Sequence, residues 1–316
     1  MRKMTLTFCI VALWVFLSGL SAGSDFADTL ISYSGPFGSY PYDQPGAVLG
    51  PPTPYVRDTG KNFPVSLVYG AWNVTPEGGR TVLTLGFGSE VIVGFNHIIA
   101  DDINNPHGID FIVFSNTFFE RQWSGANDYL TPTTDMNSVY LTHPASINDE
   151  WVTVSVAQDP NGPWFTFPEG IVAGGLFPTQ AFAWDSVSRQ WGKPLDFLRP
   201  VDPTLTLADF AGLSVPEAIA LYDGSAGGAG FDLQWLDPND YDALRIDPET
   251  GRRWFKYVKL TSDEWGEVDA IADVAACGDY KHPFPPGDID RDCRVDLADF
   301  AVLAENWMTC TWNCDP

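Results

Sequence analysis

Five aspartates between residues 288 and 299 have the spacing of a cation-binding loop. Asp288, Asp290, Asp292, Asp296 and Asp299 fall at positions 1, 3, 5, 9 and 12 of a twelve-residue stretch. Alternate positions turn oxygens inward, and the acid at position 12 closes the loop. Arg294, at position 7, contributes its backbone carbonyl, so its side chain is free to point away. The metal site expected is therefore Asp288, Asp290, Asp292, Arg294, Asp296 and Asp299. An all-oxygen set of this size suits a hard ion that takes six to eight ligands, which is Ca2+. Val295, at position 8, is expected to anchor the loop to an apolar core. Leu297, Phe300, Leu303 and Trp307 recur at helical spacing, which predicts a helix over about 296–307 with one apolar stripe. That stripe buries against the rest of the chain or presents a surface to a partner.

The rest of the sequence has aromatic and acidic residues in quantity and no catalytic signature. His97, His107, His143 and His282 are its four histidines, and they form neither an HExxH motif nor a recognisable triad; GxSxG is absent. Glycoside hydrolysis needs a carboxylate pair, and with 41 acids no pair is singled out. Indole rings stack on sugar faces, and of the twelve tryptophans Trp123, Trp164, Trp191 and Trp265 fall on expected loops. An acid pair beside tryptophan occurs twice, at Asp149-Glu150-Trp151 and Asp263-Glu264-Trp265, and reads as two strand-edge turns.

The elements that position these residues are short strands. The runs 81–87 and 90–95, separated by Gly88-Ser89, read as a hairpin. Residues 110–115 are apolar on both faces, as in a central strand. Residues 150–156 alternate, with Val152, Val154 and Val156 facing one way. Residues 256–261 alternate as well. In 267–274, Val268, Ala270, Ala272 and Val274 share a face. One helix interrupts the strands: Ser214 and Glu217 form a capping box, Pro216 suits the first turn, and 218–222 continue it. Residues 224–230, rich in glycine, read as a flexible connection, and 24–62 as an irregular lead-in. Many short strands with turns between them predict an all-β chain, a jelly-roll β-sandwich with one inserted short helix, followed by a small calcium loop–helix module.

The N-terminus, with Arg2 and Lys3 before an apolar run to Leu17 and small residues to Gly23, reads as a signal peptide over 1–23. The β-sandwich is then expected over 24–276 and the calcium tail over 277–316. Export implies a secreted or cell-surface protein, with no membrane span in the mature chain. Cys277, Cys293, Cys310 and Cys314 lie in the last forty residues and in an exported chain predict disulfides. A formal charge of −24 argues against nucleic acid as a partner.

Two stretches resemble known families. The segment RWFKYVKLTSDEWGEVDAIADV (253–274) is similar to the closing strands of discoidin-like, galactose-binding-type jelly rolls. DFIVFSNTFF (110–119) and EWVTVSVAQDPNGPWFTF (150–167) are similar to middle strands of bacterial cell-surface proteins with that sandwich, so the likeness spans roughly 45–275. Residues 288–299 resemble one repeat of a type I dockerin, with Asp299 fitting position 12 and Cys293 departing from the usual glycine at position 6. The dockerin likeness implies docking to a cohesin-like partner through positions 10 and 11, here Leu297 and Ala298; the usual second repeat is absent. Together the two likenesses imply a non-catalytic carbohydrate-binding or adhesive module. A glycoside hydrolase and a purely structural surface protein are the alternatives.

Overall fold

The computed structural model describes residues 25–79, 81–122, 129–274, 286–289, 295 and 297–307. The expected signal peptide, the four C-terminal cysteines, Trp123, His282, Asp290, Asp292, Arg294 and Asp296 lie outside the described residues.

Among the described residues the strands are, in chain order, β1 (Thr29–Ser34), β2 (Tyr55–Asp58), β3 (Lys61–Pro64), β4 (Leu83–Leu85), β5 (Ser89–Ala100), β6 (Phe111–Phe114), β7 (Phe118–Phe119), β8 (Ile147–Asn148), β9 (Thr153–Ala157), β10 (Phe165–Thr166), β11 (Phe182–Asp185), β12 (Gln190–Pro194), β13 (Ala229–Phe231), β14 (Trp254–Ser262), β15 (Gly266–Val268) and β16 (Ala270–Asp273). Every ladder between these strands is antiparallel, and the chain is all-β. A five-stranded sheet runs β1-β5-β14-β9-β10, and a three-stranded sheet runs β13-β6-β16, with β15-β4 as a pair beside it. One core joins them: Val93, Val154, Val258 and Phe255 from the first sheet pack with Phe111, Val113, Phe231 and Ile271 from the second. The outer face of the β6 sheet is covered in turn, since Ile112 and Phe114 pack with Phe197, Leu198 and Trp235. This double cover explains why 110–115 is apolar throughout.

Three α-helices are present among the described residues: α1 (Val215–Leu221), α2 (Pro238–Ala243) and α3 (Leu297–Glu305). The capping box of α1 forms as expected: both the Ser214 backbone N–H and its hydroxyl donate to Glu217 Oε2, at 2.8 and 2.6 Å. Helix α1 packs on a second core built from the long segments around β7–β8 and β11–β12, including Leu67, Phe119, Phe210 and Tyr222. Helix α2, which opens at Asp237-Pro238, was not anticipated.

Several expectations are corrected. The runs 81–87 and 90–95 are not a hairpin, because β4 pairs with β15 while β5 pairs with β1 and β14. The chain changes sheet at Gly88, whose φ of +71° suits glycine. The lead-in is not irregular, because β1 is an edge strand of the main sheet. The glycine-rich connection ends in β13 and is tightly packed: a Cβ on Gly228 would lie 2.4 Å from Ile112 Cγ2. The run 267–274 divides between two partners and is buried on both faces from Val268 onward. Val295 is exposed and packs near Gly287 rather than into the core, and the α3 stripe of Leu297, Phe300, Leu303 and Trp307 is exposed. Among the described residues no helix is long and apolar enough to cross a membrane.

Candidate functional site

The two acid–tryptophan motifs meet at one end of the sandwich. Residues 150–152 are held against 173–174 by Glu150 N–H to Gly174 O at 2.8 Å, Val152 N–H to Ala173 O at 2.9 Å and Ala173 N–H to Val152 O at 3.0 Å. Gly174 is required here: its φ is +82°, and a Cβ would lie 1.9 Å from Glu150 O. With Val152 turned into the core, strand alternation turns Trp151 outward, and 60% of it is exposed. Residue 266 passes the same point, since a Cβ on Gly266 would lie 2.5 Å from both Trp151 O and Val152 Cγ2. The next residue back, Trp265, is 62% exposed and lies across Gly86, where a Cβ would meet its ring at 3.1 Å.

Trp151 borders a cleft of about 820 Å³. Its indole lies beside Gly175, with Nε1 3.8 Å from where a Cβ would stand. Asp149, Glu169, Thr153 and Thr166 supply polar groups, and Phe167, Pro168 and Leu176 supply apolar wall. That combination of apolar surface and a few convergent polar groups is the usual composition of a ligand cleft.

Behind Trp151, Glu150 meets Glu267. Glu267 sits on β15 opposite Thr84, whose hydroxyl donates to its Oε1 at 2.5 Å, and Asn116 Nδ2 donates to its Oε2 at 2.8 Å. Glu150 Oε1 receives a 3.4 Å contact from Asn148 Nδ2. Burial, followed by the charge and hydrogen bond of Glu267, pushes the Glu150 carboxyl up to about 8. Glu150 is therefore the protonated member at neutral pH, and its O–H donates to Glu267.

The opposite end of the sandwich holds a second acidic group. Carboxylate oxygens of Asp101, Asp110 and Asp232 lie within 4.8 Å of one another. Asp110 is fully buried and accepts from the backbone N–H of Asp102 at 3.0 Å and of Leu233 at 2.8 Å. Its carboxyl is raised well above the usual range by burial, against the lowering effect of those two bonds. Asp101 accepts from the Tyr241 hydroxyl and from Gln234 Nε2, and Asp232 caps the turn at Gln234. These bonds tie 101–110 to 231–241 and make the cluster a fastening between loops.

Of the tryptophans singled out from sequence, only Trp265 lies openly at the described surface. Trp164 is covered by Lys259, whose Nζ stands 4.9 Å from the ring centroid, and Trp191 packs edge-on against Trp184 at 5.0 Å. Trp151 was missed as a platform, although its phase opposite Val152 in an alternating run marks it as outward-facing. His97 is buried and paired with Asp273 at 2.9 Å, and none of the three described histidines lines the cleft. In the stretch read from sequence as a calcium loop, Asp299 is buried, and Ile289 N–H donates to its Oδ1 at 2.5 Å, which brings position 12 against position 2. No protein-family model matches this chain, and no curated protein matches its sequence.

Proposed function

We propose that the protein is an exported or surface-held, non-catalytic module that binds neutral carbohydrate in the cleft beside Trp151 and holds Ca2+ in its tail. The observation that carries the reading is the open Trp151 indole, fixed on a rigid strand entry at the edge of a cleft with polar groups along its wall. A sugar offers a C–H face to an indole and hydroxyls to carboxylates and threonines. The net charge of −24 disfavours anionic polysaccharide.

Trp151→Ala should weaken binding to neutral polysaccharide at least about tenfold, the size expected for an indole at a binding hot spot. Affinity electrophoresis through gels containing β-glucan, xylan or galactomannan measures it. Unchanged retardation in all gels that retard the native chain would remove the cleft from the reading.

For the tail, the bond from Ile289 N–H to Asp299 Oδ1 brings the start of the acidic loop against its last position, which supports the calcium reading, since an oxygen cage needs its two ends close together. Calorimetric titration of the full mature chain with Ca2+ should show one site with an affinity anywhere from about micromolar to millimolar. The heat should vanish in Asp288→Ala/Asp299→Ala. Heat that survives this double substitution would place calcium elsewhere.

A further inference from the structure

Beside the cleft, on the other side of the β7–β8 ladder, lies a separate cavity of about 370 Å³. The ladder supplies Ile147 to the cleft and Phe118 to the cavity, so the two share a wall. Tyr69, Trp72, Phe118 and Tyr129 give the cavity four aromatic walls, and Asp58 and Arg121 line it as well. We propose that this cavity is a second sugar subsite, gripping the same neutral glycan that the Trp151 cleft binds; the proposal rests on the glycan reading of that cleft.

The aromatic wall is built in advance. Tyr69 stacks face to face on Phe63, with centroids 4.6 Å apart and planes within 8°, and Trp72 leans on Tyr69 at 6.1 Å. Ser66 and Tyr69 exchange two backbone hydrogen bonds of 2.9 Å, which close the turn that carries Tyr69. The following Gly70 is pressed against Asn116, where a Cβ would lie 2.3 Å from Oδ1 and 2.8 Å from the backbone oxygen. A wall fixed this way loses little conformational freedom when a ligand arrives. Tyr129, 74% exposed, stands at the rim.

The polar groups select the ligand class. Asp58 takes the Tyr69 hydroxyl on Oδ2 at 2.9 Å, and among the described residues Oδ1 has no further bond, so a carboxylate oxygen remains for a ligand hydroxyl. Burial, and after it that bond, raise the Tyr69 phenol, which stays protonated and keeps its donor on Asp58. An aromatic cavity with a carboxylate alone would suit an ammonium ion. The guanidinium of Arg121 in the same lining disfavours one, and Asp58 disfavours an anion. A neutral ring with an apolar face and a rim of hydroxyls suits the aromatic walls and the Asp58 oxygen.

The test uses the full mature chain in the same β-glucan, xylan and galactomannan gels. Tyr129→Ala, at an exposed position where folding is not at stake, and Trp72→Ala should each weaken retardation at least about fivefold. Either one combined with Trp151→Ala should abolish it. Melting temperatures of the variants, measured alongside, separate loss of binding from loss of fold. If Tyr129→Ala and Trp72→Ala bind like the native chain while Trp151→Ala fails, the second subsite is wrong and the cleft stands. If the two cavity variants fail and Trp151→Ala binds normally, the cavity alone is the site and the cleft reading falls. If no gel retards the native chain, both fall.

Discussion

Phe111→Ala should lower the stability of the folded chain by about 3–5 kcal/mol, the usual range for deleting a fully buried aromatic ring. Phe111 has no exposed surface and stands where the two sheets meet. It stacks on Phe231 of the neighbouring strand β13 at 5.0 Å. It also contacts Phe255 of β14, in the other sheet, at 4.8 Å, and Phe167, just after β10, at 5.9 Å. Backbone ladders hold all four rings, so the cavity cannot collapse by moving one element. The upper half of the range is therefore expected. Urea denaturation of the sandwich transition should show a lower midpoint at unchanged slope. Ile103→Ala, at an exposed position, serves as control and should change stability little. A loss under about 1 kcal/mol for Phe111→Ala would mean that the two sheets do not share this core.

Glu150→Gln should leave stability unchanged at pH 4 and raise it above that of the native chain by about 2 kcal/mol at pH 8. The sign follows from the proton held between Glu150 and Glu267. The Glu150 carboxyl titrates near 8 in the folded chain against an ordinary 4.5. Between those values the folded state keeps a proton that the unfolded state has released, so stability falls as pH rises through the window. Each pH unit corresponds to about 1.4 kcal/mol at full effect, and the partial exposure of Glu150 reduces the sum by about half. Glutamine keeps the shape and donates an N–H to Glu267 where the carboxyl donated its proton, but at every pH. Asp269, fully buried against Thr53 and raised to about 7 by burial, gives a trend of the same sign, as does Asp110. Both remain in the variant, so the difference between the two proteins isolates Glu150. Thermal melts from pH 4 to 9 measure it, and parallel curves would show that the pair holds no shared proton.

Strands that face water on one side or lie wholly inside were legible in the sequence, and pairing was not. The alternation of Val152, Val154 and Val156 and the apolar run at 110–115 gave β9 and β6 because each pattern reflects the strand's own surroundings. The partners of β4 were hidden because all three of its residues are buried and no face is distinguished. The edge strand β1 was hidden for the opposite reason: its side chains are mostly exposed, so it lacks an apolar signal. Glycines read as slack at 224–230 are there because Ile112 and Phe114 leave no room for a side chain at Gly228. The candidate site shows the same division. Trp265 was visible as a loop aromatic, while the approach of Glu150 to Glu267 joins residues more than a hundred positions apart and follows only from Gly266 passing against Trp151 and Val152. The Asp101–Asp110–Asp232 fastening likewise depends on β13 lying beside β6.

The direction of β16 bears on how the molecule would carry a mechanical load. Ala270, opposite Phe114, is at the Trp151 end of the sandwich; Asp273, opposite Phe111, is at the other, where Val274 N–H donates to Asp110 O at 3.0 Å. The chain thus leaves the sandwich at the pole away from Trp151. Tension between a ligand held at Trp151 and anything gripping the residues beyond 274 would run along β16, parallel to its neighbour β6. The rungs of that ladder, Ala270–Phe114 through Asp273–Phe111, would then be strained together in shear rather than opened one by one as in peeling. The short closing strand is in this respect a latch, and it holds best when pulled along its own length.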